Sequence, residues 1–376
     1  MRSFKSIATL ANVRFRAALR SMVGGLAFRK ALIAAAIGFL VNQIVDFGAL
    51  TYFDKRYWQL CVYDCGWYAS IVDEWYQLEG VAHEKMDAAN WAFFPFFPLS
   101  SAIAKFVGRL PTPLALIGTS RLFLLLSIFT FVLFVKAFRP DIPEHRSALV
   151  LALNPLSIYG NVGYSESSFF FLSCVGFILL KQRSFVAAGF VGAFLTASRL
   201  QGLFFAASYL WRSWPSLNQW SRVPPILLGL MLIPLGLACF MVALYFANGD
   251  ALAFVHVQRA WNRSIGSPFD HLQQAYYGSA RDRAAAILTV CAFCAIGYLV
   301  VRGRIELALF SLLSTVVPLS AGIWSMPRFI MWQAPILLVL VELANIRLAR
   351  YVLYPLMLAG LMFYYYALLL PWDEMI

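Results

Sequence analysis

Residues 31–53, ALIAAAIGFLVNQIVDFGALTYF, contain one acid, Asp46, and no base. A run of this length reaches the roughly 20 residues that a helix needs to cross the hydrocarbon core. Further apolar runs follow near 114–137, 147–163, 167–181, 184–198, 202–213, 223–247, 284–301, 305–323, 329–345 and 351–370, parted by short charged or proline-rich breaks. The pattern predicts an all-α polytopic membrane protein with about 11 transmembrane helices. Several runs are shorter than a straight span requires, which is tolerated where protein rather than lipid surrounds their ends. Residues 93–110, interrupted by Pro95 and Pro98, read as a re-entrant or interfacial helix in the first outer loop. Composition agrees: 61% of the 376 residues are hydrophobic and 13% charged. A soluble domain carries about half and about a quarter. This excludes a soluble enzyme, a disordered chain and a fibrous protein.

The net charge of +12 suggests nucleic acid until the charges are placed. Residues 1–30 hold Arg2, Lys5, Arg14, Arg16, Arg20, Arg29 and Lys30 with no acid. They read as an uncleaved cytoplasmic segment, followed by a single transmembrane domain over 31–376. Alternation from there puts 1–30, 136–147, 181–184, 212–222, 302–306 and 342–350 inside. These regions contain 18 of the 30 Lys and Arg but only four of the 18 acids. Every inner turn then obeys the positive-inside rule, and the basic balance is topology rather than a nucleic-acid footprint. Of the six Cys, Cys174, Cys239, Cys291 and Cys294 lie in apolar runs. Cys61 and Cys65 lie in an outer polar segment, where a disulfide is open to them but not established by spacing alone.

The same topology sends the unusual polar segments to the outer side. They are Tyr63-Asp64-Cys65-Gly66-Trp67-Tyr68, Phe93-Phe94-Pro95-Phe96-Phe97-Pro98, Asn154-Pro155-Leu156-Ser157, Tyr164-Ser165-Glu166-Ser167, Ser198-Arg199-Leu200-Gln201-Gly202, Gln258-Arg259-Ala260-Trp261-Asn262-Arg263 and Ser325-Met326-Pro327-Arg328-Phe329. Each has an ordinary reading alone. Glu166 suits a helix N-terminus, Arg199 and Arg328 suit headgroup contact, Trp261 suits an interfacial belt, and Arg121 suits a structural pair with Asp46. Together they suit sugar transfer from a lipid phosphate. The leaving group is an anion at the interface, which planar guanidiniums match. The acceptor hydroxyl needs a carboxylate to take its proton. No Gly-rich phosphate loop or Asp-x-Asp pair for a nucleotide donor appears on the inner side.

In their order along the chain, the motifs at 63–68, 93–98, 154–157, 164–167 and 198–202 resemble the PIG-V family, the GPI mannosyltransferase 2 type enzymes and their bacterial relatives. Gln258, Trp261 and Arg328 continue the resemblance, which covers about residues 31–335. Tyr63 stands where the family usually has Trp, and Phe96-Phe97-Pro98 where it has Leu-Tyr-Pro. The resemblance implies a GT-C-like fold, a polyprenyl-phosphate sugar donor, usually mannose, and a first-loop catalytic Asp, which here is Asp64. It also makes Glu166 the acid of the Tyr-Ser-Glu motif and Arg199 the Arg after the fifth helix. Compact loops and the basic head suit a bacterial inner membrane, with the site on the periplasmic face. A bacterium builds no GPI anchor, so that acceptor is not carried over.

The resulting expectation is an inverting glycosyltransferase acting on a lipid or glycan acceptor. Asp64 and Glu166 are the catalytic carboxylates, Asp64 being the general base. Arg199 and Arg328 hold the lipid phosphate, Arg328 foremost because it opens the tenth helix. Gln258, Trp261, Tyr164, Trp67 and Arg121 complete the substrate-binding set. The sequence demands neither a metal nor a cofactor, although Asp64, Asp73 and Glu74 form an acidic loop. The competing expectation is a lipid-linked sugar flippase or transporter, whose marks would be an inverted repeat and mid-bilayer charges.

Overall fold

The computed structural model describes residues 25–77, 88–261, 263 and 265–369. The basic segment up to residue 24, Asn262 and the tail Asp373-Glu374 lie outside the described residues. The described residues are 81% helical and include no strand. In order the helices are α1 Leu26–Tyr52, α2 Asp64–Glu74, α3 Phe96–Gly108, α4 Thr112–Phe138, α5 Glu144–Ala152, α6 Glu166–Lys181, α7 Phe185–Ser198, α8 Phe205–Ser213, α9 Val223–Leu232, α10 Leu235–Asn248, α11 Ala253–His256, α12 Pro268–Tyr277, α13 Ala280–Val301, α14 Ile305–Leu319, α15 Met326–Met331, α16 Ala334–Asn345 and α17 Arg347–Leu369. Among the described residues five stretches are long and apolar enough to cross a membrane: α1, α4, Trp220–Asn248, α13 and α17.

The first span shows what solvent this surface is made for. It buries Ala31, Ala34, Ala35, Gly38, Asn42, Asp46 and Ala49. It exposes Leu32, Ile33, Ile37, Leu40, Ile44 and Phe47, all more than half accessible. The small and polar stripe faces protein and the large apolar stripe faces outward, the reverse of a helix in water. Small residues allow close crossings elsewhere. A Cβ on Gly189 of α7 would lie 2.0 Å from the Gly229 carbonyl oxygen of α9, so no side chain fits there.

Besides 223–247, which is interrupted at Ile233-Pro234 between α9 and α10, three predicted runs are not the continuous helices that hydropathy suggested. The run 147–163 is nine residues of α5 followed by an irregular turn at Ser157–Gly160. Pro155 ends the helix, and Asn42 Nδ2 captures the freed Ala152 carbonyl oxygen at 2.8 Å. The run 202–213 is a tight turn, Leu200–Phe204, followed by the nine residues of α8. The predicted tenth helix, 329–345, is split into α15 and α16 at Trp332-Gln333. The Phe/Pro segment forms α3 of 13 residues, with Pro98 in its first turn, where backbone donors lack helical partners.

The six basic turns gather, as far as they are described, at one end of the bundle. Glu342 joins Arg139 at 2.7 Å and Arg304 at 2.8 Å. Arg212 donates to the Lys181 carbonyl oxygen at 3.3 Å, and Arg146 to that of Asn345 at 3.5 Å. The motif-bearing turns collect at the other end. There Asp73, at the end of α2, accepts from Lys105 at 2.5 Å and from Thr112 at 2.6 Å. Partial burial pushes its carboxyl upward, but these two bonds outweigh that and hold it below the usual range. Among the described residues no three His, Cys, Asp or Glu side chains converge as a metal site.

Candidate functional site

The turn that delivers Asp64 is covalently and sterically fixed. Cys61 and Cys65 form a disulfide across it, with Cα atoms 5.0 Å apart. Tyr63 holds a left-handed φ of 52° immediately before α2, an uncommon conformation for a bulky residue. The Tyr164 hydroxyl completes the frame: it accepts from the Asp64 backbone N–H at 3.3 Å and donates to the Val62 carbonyl oxygen at 3.1 Å. Gly163 makes this approach feasible. Its φ is +77°, and a Cβ there would sit 2.6 Å from Cys65 Sγ. Gly163→Ala is therefore expected to cost about 2 kcal/mol or more, from left-handed strain and overpacking together. Gly297→Ala, with nothing within 4 Å of the added carbon, should not. Thermal midpoints in detergent compare the two.

Four charged side chains from distant parts of the sequence meet beside this turn. Arg328 Nη1 donates to Asp64 Oδ2 at 2.5 Å. Arg328 Nε and Arg199 Nη2 both donate to Glu166 Oε1. Glu166 is 1% exposed, and its Oε2 has no partner among the described residues. The Arg328 guanidinium lies 4.8 Å from the Tyr164 ring centre and 5.0 Å from that of Tyr159, and those two rings stack on each other. Tyr68, one turn after Asp64 on α2, donates to Ser165 Oγ at 2.7 Å, and Arg199 Nε donates to the same oxygen at 3.2 Å. The Asn154 motif supports the group from behind: Asn154 Nδ2 donates at 2.7 Å to the Met331 carbonyl oxygen, at the end of the helix that bears Arg328.

Arg263 adds a third guanidinium. It donates to Gln258 Oε1 at 2.8 Å and to Ser325 Oγ at 3.1 Å. It feels the charges of Asp64, Arg328 and Arg199 but has no carboxylate partner among the described residues. Three arginines thus face two carboxylates, leaving one positive charge in excess. Trp261, two residues before Arg263, meets Trp67 at 5.8 Å and Phe93 at 6.2 Å between ring centres. Glu166, Arg199, Gln201, Ser314 and Gln333 also line a narrow cleft of about 10 Å³, room for a single water or hydroxyl. Ser314 Oγ and Gln333 Oε1, like Glu166 Oε2, have no partner among the described residues.

The structure thus brings Asp64, Glu166, Arg199 and Arg328 into one network, with Tyr164 beneath it. Gln258, Trp261 and Trp67 adjoin it through Arg263 and the aromatic group. Two expectations change. Arg121 is not in the cluster: its guanidinium is 2.8 Å from Asp46 and stacks on Tyr57, while the Tyr365 hydroxyl holds the other Asp46 oxygen at 2.5 Å. It is a structural pair, because an acid at membrane depth is retained only with a partner. Arg328 does not open a long helix. It sits in six residues of α15, too short for a useful dipole, and its fork is spent on Asp64 and Glu166. Arg263 went unselected because its loop position says nothing of the charges it faces; its place five residues after Gln258 was the available signal. The chain matches no family model and no curated protein.

Proposed function

We propose that the chain is a multi-pass membrane glycosyltransferase with a GT-C-like fold and about 11 helices in the bilayer. It moves a sugar, mannose in the first instance, from a polyprenyl phosphate to a lipid or glycan acceptor on the outer face of a bacterial inner membrane. The observation that carries this reading is the pairing of a partly exposed carboxylate, Asp64, with an arginine cluster that has one positive charge to spare.

In this reading the donor phosphate enters toward Arg263, the guanidinium without a carboxylate. Arg328 then exchanges Asp64 for phosphate oxygens, which frees Asp64. An acceptor hydroxyl oxygen attacks the anomeric carbon as Asp64 takes its proton. The bond from that carbon to the phosphate oxygen breaks on the opposite side, inverting the centre, and the lipid phosphate leaves on the guanidiniums. Glu166 keeps Arg199 and Arg328 in place, and Trp67 and Trp261 offer apolar faces to sugar rings.

The two arginines should separate kinetically. Losing a charge-assisted hydrogen bond costs about 1.5–3 kcal/mol, or about 10- to 100-fold. Arg263→Gln is expected to raise the KM for donor by that factor with a smaller change in kcat. Arg328→Lys keeps a charge but loses the fork, and should lower kcat. The direct test is purified protein with labelled polyprenyl-phosphate mannose and other polyprenyl-phosphate sugars against a panel of lipid and glycan acceptors. Transfer supports the reading. Absence of transfer, with lipid-linked sugar instead crossing a proteoliposome bilayer, would replace it by a flippase.

A further inference from the structure

The bundle end opposite Asp64 holds a second concentration of charge, which sugar transfer does not use. Part of it is neutralised internally: Glu144 pairs with Lys136 at 3.1 Å, and Glu342 with Arg139 and Arg304. Several guanidiniums of this end have no carboxylate partner among the described residues, and two of them, Arg146 and Arg350, share one place. Arg146, in the first turn of α5, reaches the Asn345 carbonyl oxygen at 3.5 Å, beyond a good hydrogen bond. Neither it nor Arg350, in the first turn of α17, has a carboxylate partner among the described residues. The sequence 1–24, which leads into α1 at this end, contains no Asp or Glu. The Nε atoms of both arginines are buried without partners among the described residues, as are the Tyr354 hydroxyl and Asn345 Oδ1. Both arginines act electrostatically on His145 and on Tyr354, so these groups share one place where α5, α16 and α17 meet.

Buried donors beside two uncompensated charges cost free energy unless an anion with several acceptor oxygens meets them. A phosphodiester has that form: its oxygens can accept from both guanidiniums and from the Tyr354 hydroxyl. Asn345 Oδ1 is an acceptor, so it suits a hydroxyl on the same ligand. The first turns of α5 and α17 favour negative charge in addition. Alongside, Ile346, Leu348, Tyr351 and Val352 expose an apolar face with no use for a free phosphate ion, but against which an acyl chain can lie. We propose that Arg146, Arg350, Tyr354 and Asn345 form a binding site for one anionic phospholipid bearing a headgroup hydroxyl, of the phosphatidylglycerol type.

The test uses the full chain in phosphatidylcholine nanodiscs titrated with phosphatidylglycerol, with bound lipid counted by native mass spectrometry after release. Wild type should retain one phosphatidylglycerol saturably. Arg146→Gln and Arg350→Gln should each weaken retention about 10- to 100-fold. Arg350→Lys, which keeps the charge and so controls for folding, should fall between. Arg183→Gln, at an exposed arginine of the same end, should change nothing. Equal loss in Arg183→Gln would mean a diffuse surface attraction and overturn the site, as would unchanged retention in the Arg146→Gln, Arg350→Gln double variant. Competition by glycerol phosphate as effective as that by the lipid would also overturn it, in favour of a soluble phosphate ester. Lipid retention is read without any sugar transfer, so this outcome is independent of the proposed reaction.

Discussion

Asp64→Asn is expected to reduce sugar transfer by about 10²–10⁴-fold, the usual cost of losing a general base. The substitution keeps shape and one acceptor oxygen but removes the ability to hold a proton from the acceptor hydroxyl. It should leave the fold intact. The turn is held by the Cys61–Cys65 disulfide and by Tyr164 bonding to backbone atoms, none of which needs the Asp64 carboxylate. Arg328 also retains Glu166 when Asp64 is neutralised. The loss should fall on kcat, with donor KM steady or lower, because Arg328 is then freer to meet phosphate. A folded Asp64→Asn protein with near wild-type transfer would remove Asp64 from the chemistry. Normal transfer in Asp64→Asn together with loss in Glu166→Gln would move the base to Glu166.

Some of this architecture was legible before any coordinates, and the boundary is physical. The first span was readable because 23 residues with one acid have few other uses. The common placement of the polar motifs was readable because basic turns alternate along the chain, and those turns do meet at one end. The breaks at Asn154-Pro155 and Trp332-Gln333 were not, because hydropathy counts apolar side chains and cannot see a carbonyl captured by Asn42 or an indole bonded to a distant backbone. Trp332 Nε1 donates to the Leu156 carbonyl oxygen at 2.9 Å, joining the two broken places to each other. Arg121 and Arg263 show the same limit from opposite sides. Both are arginines near the outer motifs in sequence, and only the partner decides their use. Asp46, 75 residues away, claims Arg121, while no acid among the described residues claims Arg263.

Glu166→Ala is expected to lower stability by about 3–5 kcal/mol, the cost of removing one member of a buried ion pair and leaving charge behind. Here two guanidiniums, those of Arg199 and Arg328, lose their shared acceptor at once. The apparent unfolding midpoint in detergent is the measurement. Glu166→Gln separates two roles for this side chain. As a holder of arginines, it needs charge, so Glu166→Gln should lose stability and transfer together. As a second proton acceptor, it would lose kcat while the midpoint stayed near wild type. The paired substitution Glu166→Gln with Arg199→Gln sharpens the distinction, because it deletes one charge of each sign. If Glu166 serves by compensating arginines, the double variant should be more stable than the sum of the two single losses, with a coupling of about 0.5–3 kcal/mol. Arg328 would then be the arginine left beside Asp64, so partial transfer should return with stability. Strict additivity, with no recovery of either, would mean that Glu166 acts on substrate directly rather than through the guanidiniums it touches.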